Sequence, residues 1–238
     1  MFELLRKIFP LKRKRLLYQG FSIICACNDY DKLDRYLIPS LNRQKSPHEL
    51  FVIDNSDGHY SSAASILNQT AKKAQYDYLM FVHQDVALLS ETWLFDTQNR
   101  LNSLKNLGAA GVAGRGKRGR VKAAVLHGIP PRPAGREPLQ NNVKVQTLDG
   151  CLLIVPKHIF ERLPFDEAHS GWYLYVAGYC LDLLRNGYQS YVIPELIYHE
   201  STGPADPCTY EGAIQYLIAK HGSRIDTIYT TVGKWKTK

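Results

Sequence analysis

Three short apolar runs in the first third of the chain each end in residues able to bind a ligand. FSIICA at 21–26 leads into Cys27, Asn28 and Asp29; LFVID at 50–54 ends in Asp54 and continues to Asn55, Ser56 and Asp57; YLMFV at 78–82 leads into His83, Gln84 and Asp85. Asp or Asn after a strand also serves as a turn residue or helix cap, so each end alone is ambiguous. The third end is the sharpest. Residues two apart on a strand project to the same side, and His83 with Asp85 is a donor pair compatible with a divalent cation. Such an ion can bridge the phosphates of a nucleotide diphosphate and offset charge on the departing nucleotide.

These residues need a scaffold that brings them to one edge. The continuous apolar character of the three runs is that of strands buried on both faces. Segments of helical spacing at about 32–43 and 60–75 separate them, so the pattern predicts βαβ units and a parallel sheet. Ligands bind such sheets outside the carboxyl ends of the strands, where all three polar ends fall. AAGVAG at 109–114 reads as a fourth strand and 114–140, rich in Gly, Pro, Arg and Lys, as a long loop. Loops of that length are commonly functional or disordered. A strand is expected at 145–156, a helical turn near 157–162, a helix over 172–187 ended by Gly187, short strands at 190–194 and 196–199, and a final helix at 209–220.

Composition sets outer limits. The chain has 238 residues, 45% hydrophobic and 22% charged, which suits one ordinary globular domain. Five cysteines at 25, 27, 151, 180 and 208 show no CxxC spacing, and read as reduced, mostly buried thiols. No secretory h-region and no long apolar run is found, so the expected location is cytoplasmic. The formal charge is +8, and Arg6, Lys7, Lys12, Arg13, Lys14 and Arg15 crowd one end beside Phe2, Leu4, Leu5, Ile8 and Phe9. That mixture suits the anionic inner face of a membrane, or else a solvated tail broken by Pro10. No nucleic-acid motif accompanies the charge. The expected divisions are a basic segment at 1–19, the main globular domain at 20–222 and a basic tail at 223–238.

In order, FSIICACNDYDKLDRYLIPSL, FVIDNSDG, FVHQDV, TLDGCLLIVPKHIFERLPFDE, WYLYVAGYCLDLLRNGYQSYVIP and YHESTG resemble the family 2 glycosyltransferases. The chain is most similar to the subgroup named after the streptomycin-biosynthesis protein, with HQDV in place of the commoner Asp-x-Asp metal motif. The resemblance spans roughly residues 20–203. It implies a nucleotide-diphospho-sugar transferase fold of GT-A type: a mostly parallel central sheet flanked by helices. It implies a metal-dependent, inverting hexosyltransferase of surface polysaccharide or glycoconjugate synthesis. Its donor would be a UDP-, GDP- or dTDP-linked sugar, its acceptor a saccharide or lipid-linked saccharide, and its cofactor Mn²⁺ or Mg²⁺. Residue by residue, Asp54 matches the acid that binds the donor base, with Asn28 near it. Asp85 matches the carboxylate that holds metal and diphosphate, His83 a residue near the ribose, Asp149 a residue contacting the sugar, and His199 a further metal ligand.

One position departs from the pattern. Where the family carries the acid that deprotonates the acceptor, this chain has Gly178, a residue that costs about 1 kcal/mol relative to Ala in a helix and shows no local motive in the sequence. Asp182, one helical turn on, is the substitute base to consider, with Asp166 and Glu167 as further acids. The alternative is a catalytically silent sugar-nucleotide-binding or scaffold protein. An oxidoreductase is disfavoured because no GxGxxG follows the first strand. Arg115, Lys117, Arg118, Arg120 and Lys122 form a basic loop able to meet a diphosphate or a phosphate-bearing acceptor. Trp172, Tyr173 and Tyr175 gather on the expected acceptor side, where aromatic faces either stack on sugars or fill the core.

Overall fold

The polar-ended runs become the first three strands, Tyr18–Cys27 (β1), His48–Asp54 (β2) and Tyr76–Val82 (β3). The computed structural model describes residues 18–117, 119–135, 137–200 and 207–238. The N-terminal basic cluster, Arg118 and the last residues of YHESTG therefore lie outside the described residues, as does the side chain of Cys208. Further strands are Val86–Leu88 (β4), Leu107–Gly111 (β5), Ala113–Arg115 (β6), Val121–Ala123 (β7), Val125–His127 (β8), Arg132–Pro133 (β9) and Val143–Val145 (β10). Thr147–Leu148 (β11), Leu152–Pro156 (β12), Gln189–Val192 (β13), Ile197–His199 (β14), Thr227–Tyr229 (β15) and Lys234–Lys236 (β16) complete the set.

Among the described residues the main sheet has seven strands in the order β10-β13-β5-β12-β3-β1-β2. β1 runs parallel to both β2 and β3, and β13 parallel to β5. β12 is antiparallel to β3 and β5, and β10 is antiparallel to β13. Five of the seven strands thus point the same way, as expected of a mostly parallel α/β sheet, with β12 and β10 reversed. Alternate residues of the central strands enter different cores: Ile23, Cys25, Met80 and Ile154 on one face, Ile24, Leu79, Phe81 and Leu153 on the other. Burial of both faces explains why the central strands read as unbroken apolar runs; β2 departs from that expectation, since it lies at the sheet edge with only Ile53 buried.

The first face is covered by a helical segment comprising Tyr30–Lys32 (α1), a π turn at Leu33–Leu37 and Ile38–Asn42 (α2), together with Trp93–Ser103 (α4). Pro39 has no N–H and its ring crowds the preceding turn, and the widened turn immediately before it accommodates both effects. Ala63–Ala71 (α3), Lys157–Phe160 (α5) and Tyr175–Arg185 (α6) cover the second face, and Glu211–His221 (α7) packs on α6 through Leu217. Among the described residues no helix is long and apolar enough to cross a membrane.

Several expectations change in detail. The stretch 114–140 is not a featureless loop; it carries β7, β8, β9 and part of β6, kept to two or three residues each by interspersed Gly and Pro. The strand expected at 145–156 breaks at Asp149, whose Oδ1 accepts from the Cys151 N–H at 3.0 Å and turns the chain. The helix expected from 172 starts at Tyr175, because Leu174 sits at φ 58. Residues 227–236, expected within a tail, form the β15–β16 hairpin, with Ile228 fully buried. The Gln146 amide brackets that hairpin, donating to Thr227 O at 3.1 Å and accepting from Tyr229 N at 2.7 Å.

Candidate metal centre and ligand edge

His83 directly follows β3, Asp85 directly precedes β4, and His199 ends β14. Because β14 pairs antiparallel with β4, with His199 level with Val86, residues more than a hundred positions apart in sequence meet. One donor atom from each of His83, Asp85 and His199 lies within 4.8 Å of the others. His199 Nε2 approaches Asp85 Oδ1 at 3.2 Å, and the two imidazoles stand with centroids 5.5 Å apart. That Nε2 is buried and faces Asp85 without a hydrogen bond of good alignment. Adjacent ligands of an ion with bonds of about 2.1 Å lie about 3.0 Å apart in octahedral geometry. The Asp85–His199 distance matches that spacing, and the His83 donor lies within 4.8 Å of both, so the set can hold a divalent cation.

The charges agree with that fit. Although the His83 ring reaches solvent, crowding by the protein and the neighbouring His199 lower its pKa, against opposition from Asp85 and Asp149. A neutral imidazole is the ligating form. Burial pushes the Asp85 carboxyl up, but the adjacent His199 and then His83 outweigh it and hold the pKa below the usual carboxylate range. The residue between them, Gln84, received no role from sequence. Its Oε1 accepts from Asn28 N at 2.7 Å and Asp29 N at 3.2 Å, and its Nε2 donates to Asn28 Oδ1 at 2.6 Å. Gln84 thus ties the β1 loop to the metal-compatible turn. A polar residue flanked by two ligand candidates was the available signal.

Asp54 is exposed at the end of β2, level with Cys27. Its Oδ1 accepts from the Ser56 N–H at 3.0 Å and the Ser56 hydroxyl at 2.8 Å, bonds that lower its pKa and hold it ionised. Asp149 Oδ2 accepts from the Thr231 hydroxyl of the C-terminal hairpin at 2.5 Å. The Asp149 side lies close to the cluster, since a Cβ on Gly150 would stand 4.0 Å from His83 Nε2 and 3.9 Å from Val176 Cγ2 of α6. Cys25, Cys27, Cys151 and Cys180 are buried free thiols.

Gly178 and Asp182 lie elsewhere, on the face of α6 turned to α7. A Cβ at Gly178 would come 2.8 Å from Leu217 Cδ2 and 3.6 Å from His169 Nδ1. Gly178 thus has the structural motive that its sequence context lacked: it lets α7 approach. Asp182 is held by Lys220 at 2.7 Å, and the same ammonium reaches Asp166 at 2.5 Å. Burial raises the Asp166 carboxyl, yet Lys220 and the Tyr216 hydroxyl outweigh it and hold its pKa at about 2. Glu167 accepts from Asn68 Nδ2 at 3.0 Å. Of the aromatic group, Trp172 and Tyr175 pack on the core, while Tyr173 is 43% exposed.

A family model described as "Glycosyltransferase like family" matches residues 23–216. No curated protein matches in sequence. Among solved structures the chain is similar to "Mannosyltransferase PcManGT from Pyrobaculum calidifontis in complex with GDP-Man and Mn2+", with a TM-score of 0.59 at 13% identity over 94% of this chain and 70% of that one. It is similar also to residues 1–349 of S. aureus TarS, with a TM-score of 0.58 at 14% identity over 85% of this chain and 65% of that one. The same S. aureus protein in complex with UDP-GlcNAc gives a TM-score of 0.55 at 12% identity over 85% and 66%. The chain thus spans about two thirds of the TarS segment. At these identities the likeness is one of fold, and that fold is GT-A.

Proposed function

Because the chain belongs to the glycosyltransferase-like family, of family 2 type, we propose that it transfers a sugar, with inversion, from a nucleotide diphosphate to a saccharide or lipid-linked acceptor. The streptomycin-type subgroup with its HQDV motif is the finer placement. The observation that carries the reading is the convergence of His83, Asp85 and His199 at the ligand edge of the sheet. A divalent ion bound there would bridge the diphosphate and act as a Lewis acid toward the departing nucleotide. Two imidazoles beside one carboxylate favour Mn²⁺ over Mg²⁺, since Mg²⁺ prefers oxygen donors.

The remaining roles belong to the chain's own side chains. Asp54, ionised and preset by Ser56, accepts from the donor base; Asn28, fixed by Gln84, lines the same pocket. Asp149, oriented by Thr231 and the Cys151 N–H, meets the donor sugar. Gly178 offers no base, and Asp182 is committed to Lys220. That second fact favours, as the other reading, a protein that binds sugar nucleotides without turning them over.

A thermal-shift panel of UDP-, GDP- and dTDP-sugars with and without Mn²⁺ tests the proposal, since specific binding raises apparent stability. The expected result is a shift with one donor class that depends on Mn²⁺, followed by sugar transfer to an acceptor. Donor binding without transfer to any of a broad acceptor panel would favour the silent reading, and no binding of any donor would remove both.

A further inference from the structure

The described part of the 114–140 stretch forms an open groove lined by Arg115, Arg120, Lys122, Ala134, Gly135 and Glu137. Three of these are cations and one is an acid. Its walls are the β6–β7 hairpin and the segment after β9, which is held in place by the Ala134 N–H bond to Val125 O at 2.9 Å.

Arg115 is pre-positioned at this groove. Its Nε donates to Gly119 O at 3.1 Å, its Nη1 donates to Gly233 O at 3.2 Å, and its guanidinium lies 5.7 Å from the centroid of the Tyr229 ring. Two of the five guanidinium N–H donors are thus committed, and the plane is fixed by backbone oxygens of its own loop and of the C-terminal hairpin. A cation held by carbonyls and an aromatic face, with no carboxylate partner among the ion pairs of the described residues, keeps its charge for a ligand.

The groove is also tied to the reaction edge by short lengths of chain. From Lys122 the backbone runs through Ala124 into β8, whose His127 is level with His199. Five residues span at most about 18 Å. On the other strand, the Asp149 N–H bonds Ala113 O at 2.9 Å, two residues before Arg115. The groove is therefore within reach of an extended acceptor whose terminal sugar occupies the metal centre.

We propose that this groove is the binding site for the acceptor, and that the acceptor is a saccharide chain carrying phosphate groups. The proposal rests on the transferase reading above and adds the acceptor's chemical class. Arg115 supplies the oriented contact, while Arg120 and Lys122 supply charge along the chain.

The test uses the full chain and three probes, a phosphorylated dextran oligosaccharide, its unphosphorylated parent and phosphatidylglycerol vesicles, with calorimetric titration of nucleoside diphosphate plus Mn²⁺ measured alongside. The groove variant is Arg120→Gln with Lys122→Gln. Lys72→Gln with Lys73→Gln, two exposed lysines after α3, is the charge-matched control. The expected result is tighter binding of the phosphorylated probe, weakened about tenfold by the groove variant and unchanged by the control, with nucleotide affinity preserved in both. Equal binding of the two probes, or equal loss in both variants, would overturn the proposal. It would also be overturned if the groove variant lost affinity only for phosphatidylglycerol vesicles while the free oligosaccharide never bound, which would assign the groove to a lipid headgroup. Failure of the wild type to bind any nucleoside diphosphate would instead count against the transferase reading and leave the glycan result readable.

Discussion

Two polar clusters flank α6, and they differ in how their carboxylates are balanced. Between α6 and α7, Asp166 and Asp182 share the Lys220 ammonium at 2.5 and 2.7 Å, and the Tyr216 hydroxyl adds a further donor to Asp166. At the sheet edge, Asp85 has the His199 ring at 3.2 Å and the His83 ring near it, with His83 held toward its neutral form. The first cluster carries its own cation and behaves as a fastener. The second brings together groups whose shared need is a cation from outside. Carboxylates in a cleft are thus separated by their partners rather than by their proximity to one another.

The largest effect that would break this contrast is at the open cluster. Asp85→Ala is expected to weaken Mn²⁺-dependent binding of nucleoside diphosphate by 100-fold or more, on the order of a lost charged ligand, while far-UV circular dichroism stays native. Retained affinity by calorimetry would show that Asp85 has no such duty. At the closed cluster, Gly178→Asp should damage stability and leave transfer ungained. The new side chain meets Leu217 and adds a carboxylate near Asp166 and Asp182, a loss of about 3 kcal/mol or more in denaturant unfolding. Gly178→Ala, which overpacks without the charge and improves helix propensity, should lose less. A stable Gly178→Asp protein with faster transfer would mean that this face does reach the acceptor.

Lys220→Met removes the shared cation and leaves two carboxylates facing each other, and is expected to cost about 2 kcal/mol in the same measurement. The last effect is read as a pH slope. Burial lowers the His221 pKa to about 4, with Asp182 opposing, whereas the unfolded imidazole titrates near 6.5. Between those values the unfolded chain binds a proton that the folded chain refuses, so stability falls as pH drops from about 6.5 toward 4 and is level above that range. His221→Leu should flatten this segment of the stability profile; an unchanged slope would assign it to other groups.

The sheet was legible because strands buried on both faces cannot be written without unbroken apolar runs such as FSIICA and YLMFV. His83 and Asp85 were legible for the same reason, standing where such a run stops. His199 came from the family resemblance alone, since its approach depends on the register of β14 against β4, which no local pattern encodes. Gly178 misled because its reason lies in α7, some forty residues away, where Leu217 fills the space a side chain would take. The C-terminal hairpin was hidden by composition. Lys234, Lys236 and Lys238 suggest a tail, while the residues that fasten it are Gln146, Thr147 and Asp149 in the middle of the chain.

The most direct measurement is the anomalous difference density of crystals grown with Mn²⁺ and a nucleoside diphosphate, collected on both sides of the manganese edge. The account predicts a peak within about 2.3 Å of Asp85 and His199 side-chain donors, with the diphosphate on its open side. A bound diphosphate with no manganese between it and these residues, or manganese held instead at Asp166 and Asp182, would contradict it.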